Sequence, residues 1–486
     1  MKAVIYIVKK EFKEFSRSAV LLVCAFALAF CLTASLVISF SQYNQLRREH
    51  QQAGERARQA WLNQGEKGPH GAGHTGTVLF KPIMPLFALE NGLYNYTGRW
   101  VELQTHTQHE VGKRPANDQT FLIRSGVFTP AFILQYLIPL FIIFLCYSAV
   151  TAEREYGTLR LLLSQQISAR AILTGKVFAG AAKVGITILP LYAILSIVFW
   201  ILPEFGLQAW VRMNLMFLFY IAYYFILILF CIIISVWSKT SSRSLAVLTG
   251  FWIITSIVAP RVFVSLSESI AATPSNFEMK VAFDKGQGNS YVLGYKGFDT
   301  FNKIYGQITD SLMKAEGVST VDSLKVNPFG FAIEHTEEAG QRINDESYGV
   351  INRNFDRQIR IQRFAGIISP LSAIRFLSMS IAGTGLEEHD EFVRQAEQYR
   401  RTMMKKLNLN IAYHSDASGY DLKKRSAKGK DYVQGRDLWQ QIPAFNYSPV
   451  PLASVLKNNT NDILIIFGWF VAGIAIFLKT ARRLTI

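Results

Sequence analysis

Two groups of residues have types and spacings that could do chemistry. His70-Gly-Ala-Gly-His74 and His106-Thr-Gln-His109-Glu110 each place two imidazoles within one helical turn of sequence, a spacing that lets ring nitrogens converge on a transition-metal cation. No cysteine or acidic cluster completes a strong metal signature, and the glycines around His70 imply a flexible loop. Surface histidines are therefore the main reading, with His70, His74, His106 and His109 as weak metal candidates. The second group is Thr151-Ala-Glu-Arg-Glu-Tyr-Gly-Thr-Leu-Arg-Leu-Leu-Leu-Ser-Gln-Gln166. Leu159, Leu162, Leu163, Ile167 and Ile172 fall at near-helical spacing among Glu153, Arg154, Glu155, Arg160, Arg170 and Lys176, which predicts a short amphipathic helix lying on a surface. Gly157 can turn the chain into that helix and Thr158 can cap it.

The elements that position these groups follow from composition. Half of the 486 residues are hydrophobic and 18% are charged, the balance of a membrane protein with sizeable aqueous parts. Apolar runs near the roughly 20 residues that cross hydrocarbon predict six spans at 19–41, 127–152, 177–203, 210–236, 244–264 and 462–479. Lys183 interrupts the third near its start and is expected to snorkel to the headgroups. Lys2, Lys9, Lys10, Lys13 and Arg17, then Lys239 and Arg243, then Lys479, Arg482 and Arg483 fall on one side of this topology. The positive-inside bias makes that side cytoplasmic, with both termini there, and accounts for the net charge of +16 without nucleic acid. Residues 1–18 read as an interfacial helix with Ile5, Val8, Phe12 and Phe15 on its apolar face, and 480–486 as a tail. Two extracytoplasmic insertions remain, 42–126 and 265–461, and 153–176 becomes the one substantial cytoplasmic loop between spans. Cys24, Cys31, Cys146 and Cys231 all fall in spans, so the insertions must fold without disulfides. The fold class expected is an all-α polytopic membrane protein with a large, mainly helical extracytoplasmic domain.

Within the large insertion, Tyr348, Ile351, Phe355 and Ile359 mark one helix over about 345–364. Thr384 with Glu387 forms a capping-box pattern ahead of a second, with Phe392, Ala396, Tyr399, Met403 and Leu407 on one face. The two are expected to pack together or against neighbouring copies. Arg353, Arg357 and Arg360 read as a solvated basic strip, and Lys423–Lys430 as a solvated loop. Pro139 and Pro190 are candidate kinks in spans two and three.

The run Glu153–Ser164 with Ser168-Ala-Arg170 and Gly175-Lys176 resembles the loop after the second span of type-2 ABC-transporter permeases, with Gln166 where many members carry proline. Lys81-Pro82, Pro85-Leu86, Gly92-Leu93, Tyr96 and Leu134–Leu140 are similar to a branch of that family with large extracytoplasmic insertions. Ser369-Pro370-Leu371, Leu377-Ser378-Met379, Ala382-Gly383-Thr384, His389, Phe392, Ala396-Glu397, Tyr399-Arg400, Leu407-Asn408 and Ile442–Tyr447 continue the likeness in order. The resemblance implies that 153–176 is a coupling helix docking into a groove of a separate ATPase. Leu159, Leu162 and Leu163 would then fill that groove, Gly157 fix the bend, and Glu153 and Glu155 make polar contacts to the ATPase or to basic groups near the first helix. It also implies a second permease copy or paralogue, ATP and Mg on the partner ATPase with no cofactor on this chain, and export across a bacterial inner membrane amid lipid. No Gly-x-x-x-x-Gly-Lys-Ser/Thr, Gly-x-Ser-x-Gly or His-Glu-x-x-His motif suggests an independent enzyme. Two rival readings stay open: ATP-driven mechanical work on a periplasmic or envelope protein, and a membrane-anchored scaffold without ATPase.

Overall fold

The computed structural model describes residues 2–106, 108–109, 111–112, 128–165, 167–203, 205–274, 295–415 and 432–483; Glu110 and the basic stretch Lys423–Lys430 lie outside these. Helices account for nearly all of the architecture, and six of them are long and apolar enough to cross a membrane. Helix α1 (Lys2–Arg17) meets α2 (Ala19–Leu62) at Ser18, whose hydroxyl accepts from the Leu21 amide. At 1.5 Å per residue, α2 reaches well past the thickness of a bilayer, and its polar half carries Trp61 into the inserted domain.

Helices α3 (Pro69–Thr75) and α4 (Pro130–Glu155) bracket a hairpin of β1 (Thr77–Phe80) and β2 (Trp100–Leu103), paired antiparallel from Thr77 opposite Leu103 to Phe80 opposite Trp100. The bundle continues through the short α5 (Thr158–Ser164), then α6 (Ala169–Ile201), α7 (Gly206–Trp237) and α8 (Ser241–Ile270). The apolar windows of α4 and α7 are 61% buried against 17–22% for the other four spans. A helix apolar on all sides belongs inside, so α4 and α7 form the hub, and Phe26, Phe30, Ile197, Trp200 and Phe467 on the outer helices face outward.

Two wide turns interrupt this bundle in the same way. Ile133–Leu137 in α4 and Ile254–Val258 in α8 are π-helical, each ending two residues before a proline. In the i→i−5 register Pro139 and Pro260 would donate to the carbonyls of Leu134 and Thr255, but proline has no N–H. Those carbonyls instead accept from Tyr224 Oη at 2.8 Å and Ser369 Oγ at 2.7 Å. Pro190 lies inside α6.

The inserted domain comprises α9 (Tyr295–Glu316), α10 (Pro328–Arg363), α11 (Pro370–Ala382) and α12 (Leu386–His414), and α13 (Thr460–Arg483) closes the bundle. Helices α10 and α12 pack side by side, with Arg401 bridging Asp345 at 2.6 Å. Phe392, Ala396, Met403 and Leu407 are buried together with Trp61, Leu103 and Trp439, so both insertions share one core. Leu371, Ile374, Leu377 and Ile381 of α11 join the bundle core instead. The capping box at Thr384 is a correction: Gly385 occupies the cap position, and the Thr384 hydroxyl turns back to the Met379 carbonyl. Phe355, expected on an apolar stripe, is 41% exposed, while Gln358 is buried and donates to the Ala271 carbonyl at 2.7 Å.

Candidate functional site

The end of the bundle near residue 157 is where α4 gives way to α5 and α6, with α1, α7 and α8 packed around them. Helix α4 runs to Glu155, Gly157 adopts φ +75°, and α5 begins at Thr158. Nothing approaches a Cβ built at Gly157, so glycine serves here for its left-handed backbone and not for space. Ser168 then caps α6 through the Ala171 amide at 3.2 Å. The expected continuous amphipathic helix is therefore two pieces: Ile172 and Lys176 belong to α6 and are buried there. Thr158 is also not a cap, since its hydroxyl donates to the carbonyl and carboxylate of Glu153.

Glu153 is 6% exposed and accepts from Lys10 Nζ at 2.6 Å and Lys176 Nζ at 2.9 Å. Glu11 of α1, equally enclosed, accepts from Lys176 and from Lys183 at 2.9 Å. Burial would push the Glu11 carboxyl up, but Lys176 and Lys183 outweigh it and hold it below the usual carboxylate range. Lys183 is thus paired within the protein and does not snorkel to headgroups. Five charged groups from α1, α4 and α6 form one clasp, and Gly175 lets Ile7 close over it, since a Cβ there would meet Ile7 at 2.8 Å.

Glu155 lies outside the clasp. It is exposed and accepts from the Ser241 amide at 2.8 Å and hydroxyl at 2.6 Å, at the start of α8. The Ser235 hydroxyl accepts from the amides of Val150 and Thr151 at 3.0 and 3.2 Å, and Arg154 donates to the carbonyls of Val236 and Ser238. The root of α5 is therefore tied to α1, α6, α7 and α8. Of the leucines, Leu159 is 3% exposed in the bundle core, Leu163 packs against that core, and Leu162 is half-buried. The residues facing outward are Tyr156 at 82%, Leu161 at 58%, and Arg160.

A second site assembles at the other end. His70 and His74 of α3 meet His106, with ring centroids 4.8, 5.0 and 5.2 Å apart. One ring nitrogen of each lies within 4.8 Å of the other two. His109 is not part of this group; its ring pairs with Gln104 Oε1 at 3.2 Å. The flexible loop expected around His70 is a packed helix, because Gly73 allows α3 to touch the chain at Thr105, where a Cβ would meet the Thr105 methyl at 2.5 Å. Burial, then the neighbouring His106 and His74, push His70 down to about 4, so its ring is neutral near pH 7.

Sequence reasoning missed Glu11, whose only signal is an acidic residue between Ile7 and Phe15 on the buried face of α1. Of the expected apolar face, Phe15 is buried and Val8 half-buried, while Ile5 and Phe12 are 49% and 36% exposed. It also missed Glu90, 5% exposed, which accepts from Gln135 and Ser378 at 2.8 Å where α4, α7 and α11 meet. A cavity of about 700 Å3 opens beside this junction, lined by Leu93, Tyr136, Arg375, Phe376, Asp390 and Arg394 among others.

A family model described as "ABC-2 family transporter protein" matches residues 5–478. No curated protein matches the chain.

Proposed function

The chain belongs to the ABC-2 family of transporter proteins, multi-pass permeases of ABC transporters, and from that membership we propose that a separate ATPase docks on α5 and drives export through this subunit. The observation that carries the reading is the architecture of residues 151–169: a short exposed helix whose root is fixed to four bundle helices by the clasp, the Glu155 cap and the Ser235 hydrogen bonds. Such a helix passes a push at its outer face into α7 and α8 with little lost in bending. Tyr156, Arg160 and Leu161 supply the docking face, while Glu153 and Leu159 hold the helix in place. ATP and Mg bind the partner, and this chain carries no cofactor of its own for that step. The positive-inside bias of the short basic flanks supports a cytoplasmic α5 with the inserted domain on the opposite side, and the bacterial inner membrane follows the family by analogy. A second copy or paralogue completes the pathway, lipid covers the outer apolar faces, and export follows the family by analogy.

Mechanical work on an envelope protein is the second reading. One observation favours it: Arg212 of α7 is 4% exposed and donates to the carbonyls of Ile381 and Val450, joining the hub helix directly to the inserted domain. ATP hydrolysis stimulated by a protein partner alone would select this reading over transport.

The docking test is co-purification of the full chain in mild detergent with the products of its neighbouring genes, followed by mass spectrometry and an ATPase assay. Leu161→Asp with Arg160→Glu should weaken association by at least about tenfold, since losing a buried apolar anchor and reversing a charge each cost about 1–2 kcal/mol. The melting temperature should not change, because both side chains are exposed. Undiminished association would overturn the assignment. Glu153→Lys is a poorer probe, as it would break the clasp and the fold together.

A further inference from the structure

The three histidine rings are held by partners that decide which nitrogen each can offer. Asn408 Nδ2 donates to Glu334 Oε2 at 3.0 Å, which orients the amide so that Asn408 Oδ1 faces His70 Nδ1 at 3.1 Å. That oxygen only accepts, so His70 carries its proton on Nδ1. His106 Nδ1 lies 2.6 Å from Glu337 Oε1, which also accepts from the His106 amide at 2.8 Å. Arg400 stands 3.7 Å from the other Glu337 oxygen and donates to the Gln104 carbonyl at 3.1 Å. His74 Nδ1 meets the Thr105 hydroxyl at 3.0 Å. With every Nδ1 committed to this surround, Nε2 is the nitrogen through which all three rings would bind a shared ligand. A carboxylate behind an imidazole is the arrangement that fixes tautomer and raises basicity in metal-binding histidines.

We propose that His70, His74 and His106 form a three-histidine site for a late first-row divalent cation of the Zn2+ class. Three imidazoles suit these borderline ions, which prefer nitrogen to the all-oxygen sets of calcium and magnesium. A tetrahedral ion with bonds of about 2.0–2.1 Å needs nitrogens about 3.3 Å apart, and one nitrogen of each ring already lies within 4.8 Å of the other two, so binding draws the rings inward. The one non-glycine residue with positive φ among those described is His106, at +64°. Its backbone departs from the usual regions at the position that brings the third ring to the pair on α3. Among the described residues no fourth protein ligand joins the group, and His74 is exposed, so the fourth position faces solvent and takes water or a donor from an incoming ligand. An ion there also fastens the first insertion, which supplies the rings, to α10 and α12, which supply Glu337 and Asn408.

The test uses the full chain in detergent, stripped with EDTA and titrated with Zn2+ against a fluorescent chelator, with Co2+ absorption reporting coordination. We expect one equivalent bound at about micromolar affinity or tighter and visible Co2+ bands of four-coordinate intensity. His74→Asn, at an exposed position, should weaken binding by about 100-fold or more with the metal-free melting temperature unchanged. Glu337→Gln should weaken it by about 10–100-fold, and His109→Asn should leave it unaltered. The wild-type chain should melt higher with Zn2+ than with EDTA, a readout that needs no variant to fold. Absence of a saturable equivalent below about 50 µM Zn2+, no Zn2+-dependent shift in wild-type melting, or equal losses for His74→Asn and His109→Asn would each overturn the site.

Discussion

Glu11→Gln tests whether the clasp holds α1 on the bundle. Glu11 is 8% exposed and accepts from Lys176 and Lys183, themselves 5% and 6% exposed. The amide keeps the shape and removes the charge. Lys176 retains Glu153 at 2.9 Å, but the ion pair of Lys183 with Glu11 is lost from a helix that cannot expose it cheaply. At 2.9 Å and an effective dielectric near 20, one such pair is worth about 5–6 kcal/mol of Coulomb attraction, offset by desolvation. Removing one partner of a buried pair costs about 3–5 kcal/mol. Adding Lys183→Met removes the stranded charge and fills its space with an apolar chain, so the double variant should recover to within about 1–2 kcal/mol of wild type. The assay is denaturant unfolding in mild detergent followed by tryptophan fluorescence. The pH dependence has a defined sign. The folded carboxyl is held below its unfolded value, so its contribution is present above that unfolded value near pH 4.5 and is lost as pH falls through the folded one. Glu11→Gln should flatten the curve in that acidic window. A single variant within about 1 kcal/mol of wild type, or a double variant no more stable than the single, would refute the reasoning.

Lys81, 4% exposed, is pushed down to about 8 by burial against the opposing pull of Glu388 and Asp390. The unfolded chain therefore binds the proton more tightly between pH 8 and 10.5, so stability should rise with pH across that window. Lys81→Met should abolish the rise and be the more stable protein at pH 7, as melting temperatures across the range would report. Tyr224→Phe strips the donor from the Leu134 carbonyl beside Pro139; an unpaired buried carbonyl costs about 1–3 kcal/mol, measurable by the same unfolding assay, and a neutral result would mean the π-turn relaxes without its hydroxyl.

What the sequence discloses here depends on whether a property is local. Long apolar runs identify six helices because each carries its own signal, and Gly157 marks its own break. Periodicity on α1 gave an apolar face without saying what covers it. Ile5 and Phe12 turn outward while Ile7, Glu11 and Phe15 meet the bundle, and both faces have helical spacing. The clasp joins residues as far apart in sequence as Glu11 and Lys183, and no spacing rule pairs them. The histidines show the same limit. His70 and His74 share a face by spacing, but His106 joins them through a hairpin and a backbone turn, while His109, its partner in the expected pair, goes to Gln104. At Thr384 a local motif was present and tertiary packing overrode it, since its carbonyl accepts from the Leu93 amide and the cap falls one residue later, at Gly385.

The two proline-linked wide turns make the straightness of α4 and α8 conditional on their neighbours. Each helix contains a carbonyl that its own backbone cannot serve, and each borrows a hydroxyl, from Tyr224 on the hub helix or from Ser369 at the first turn of α11. A sliding motion that withdraws either donor meets an energetic step of about 1–3 kcal/mol instead of a smooth slope. The bundle therefore has two detents, one between its inner pair of helices and one between α8 and the inserted domain. At each detent the resistance to sliding is concentrated in one hydroxyl, so removing that hydroxyl frees the joint without touching the backbone of either helix.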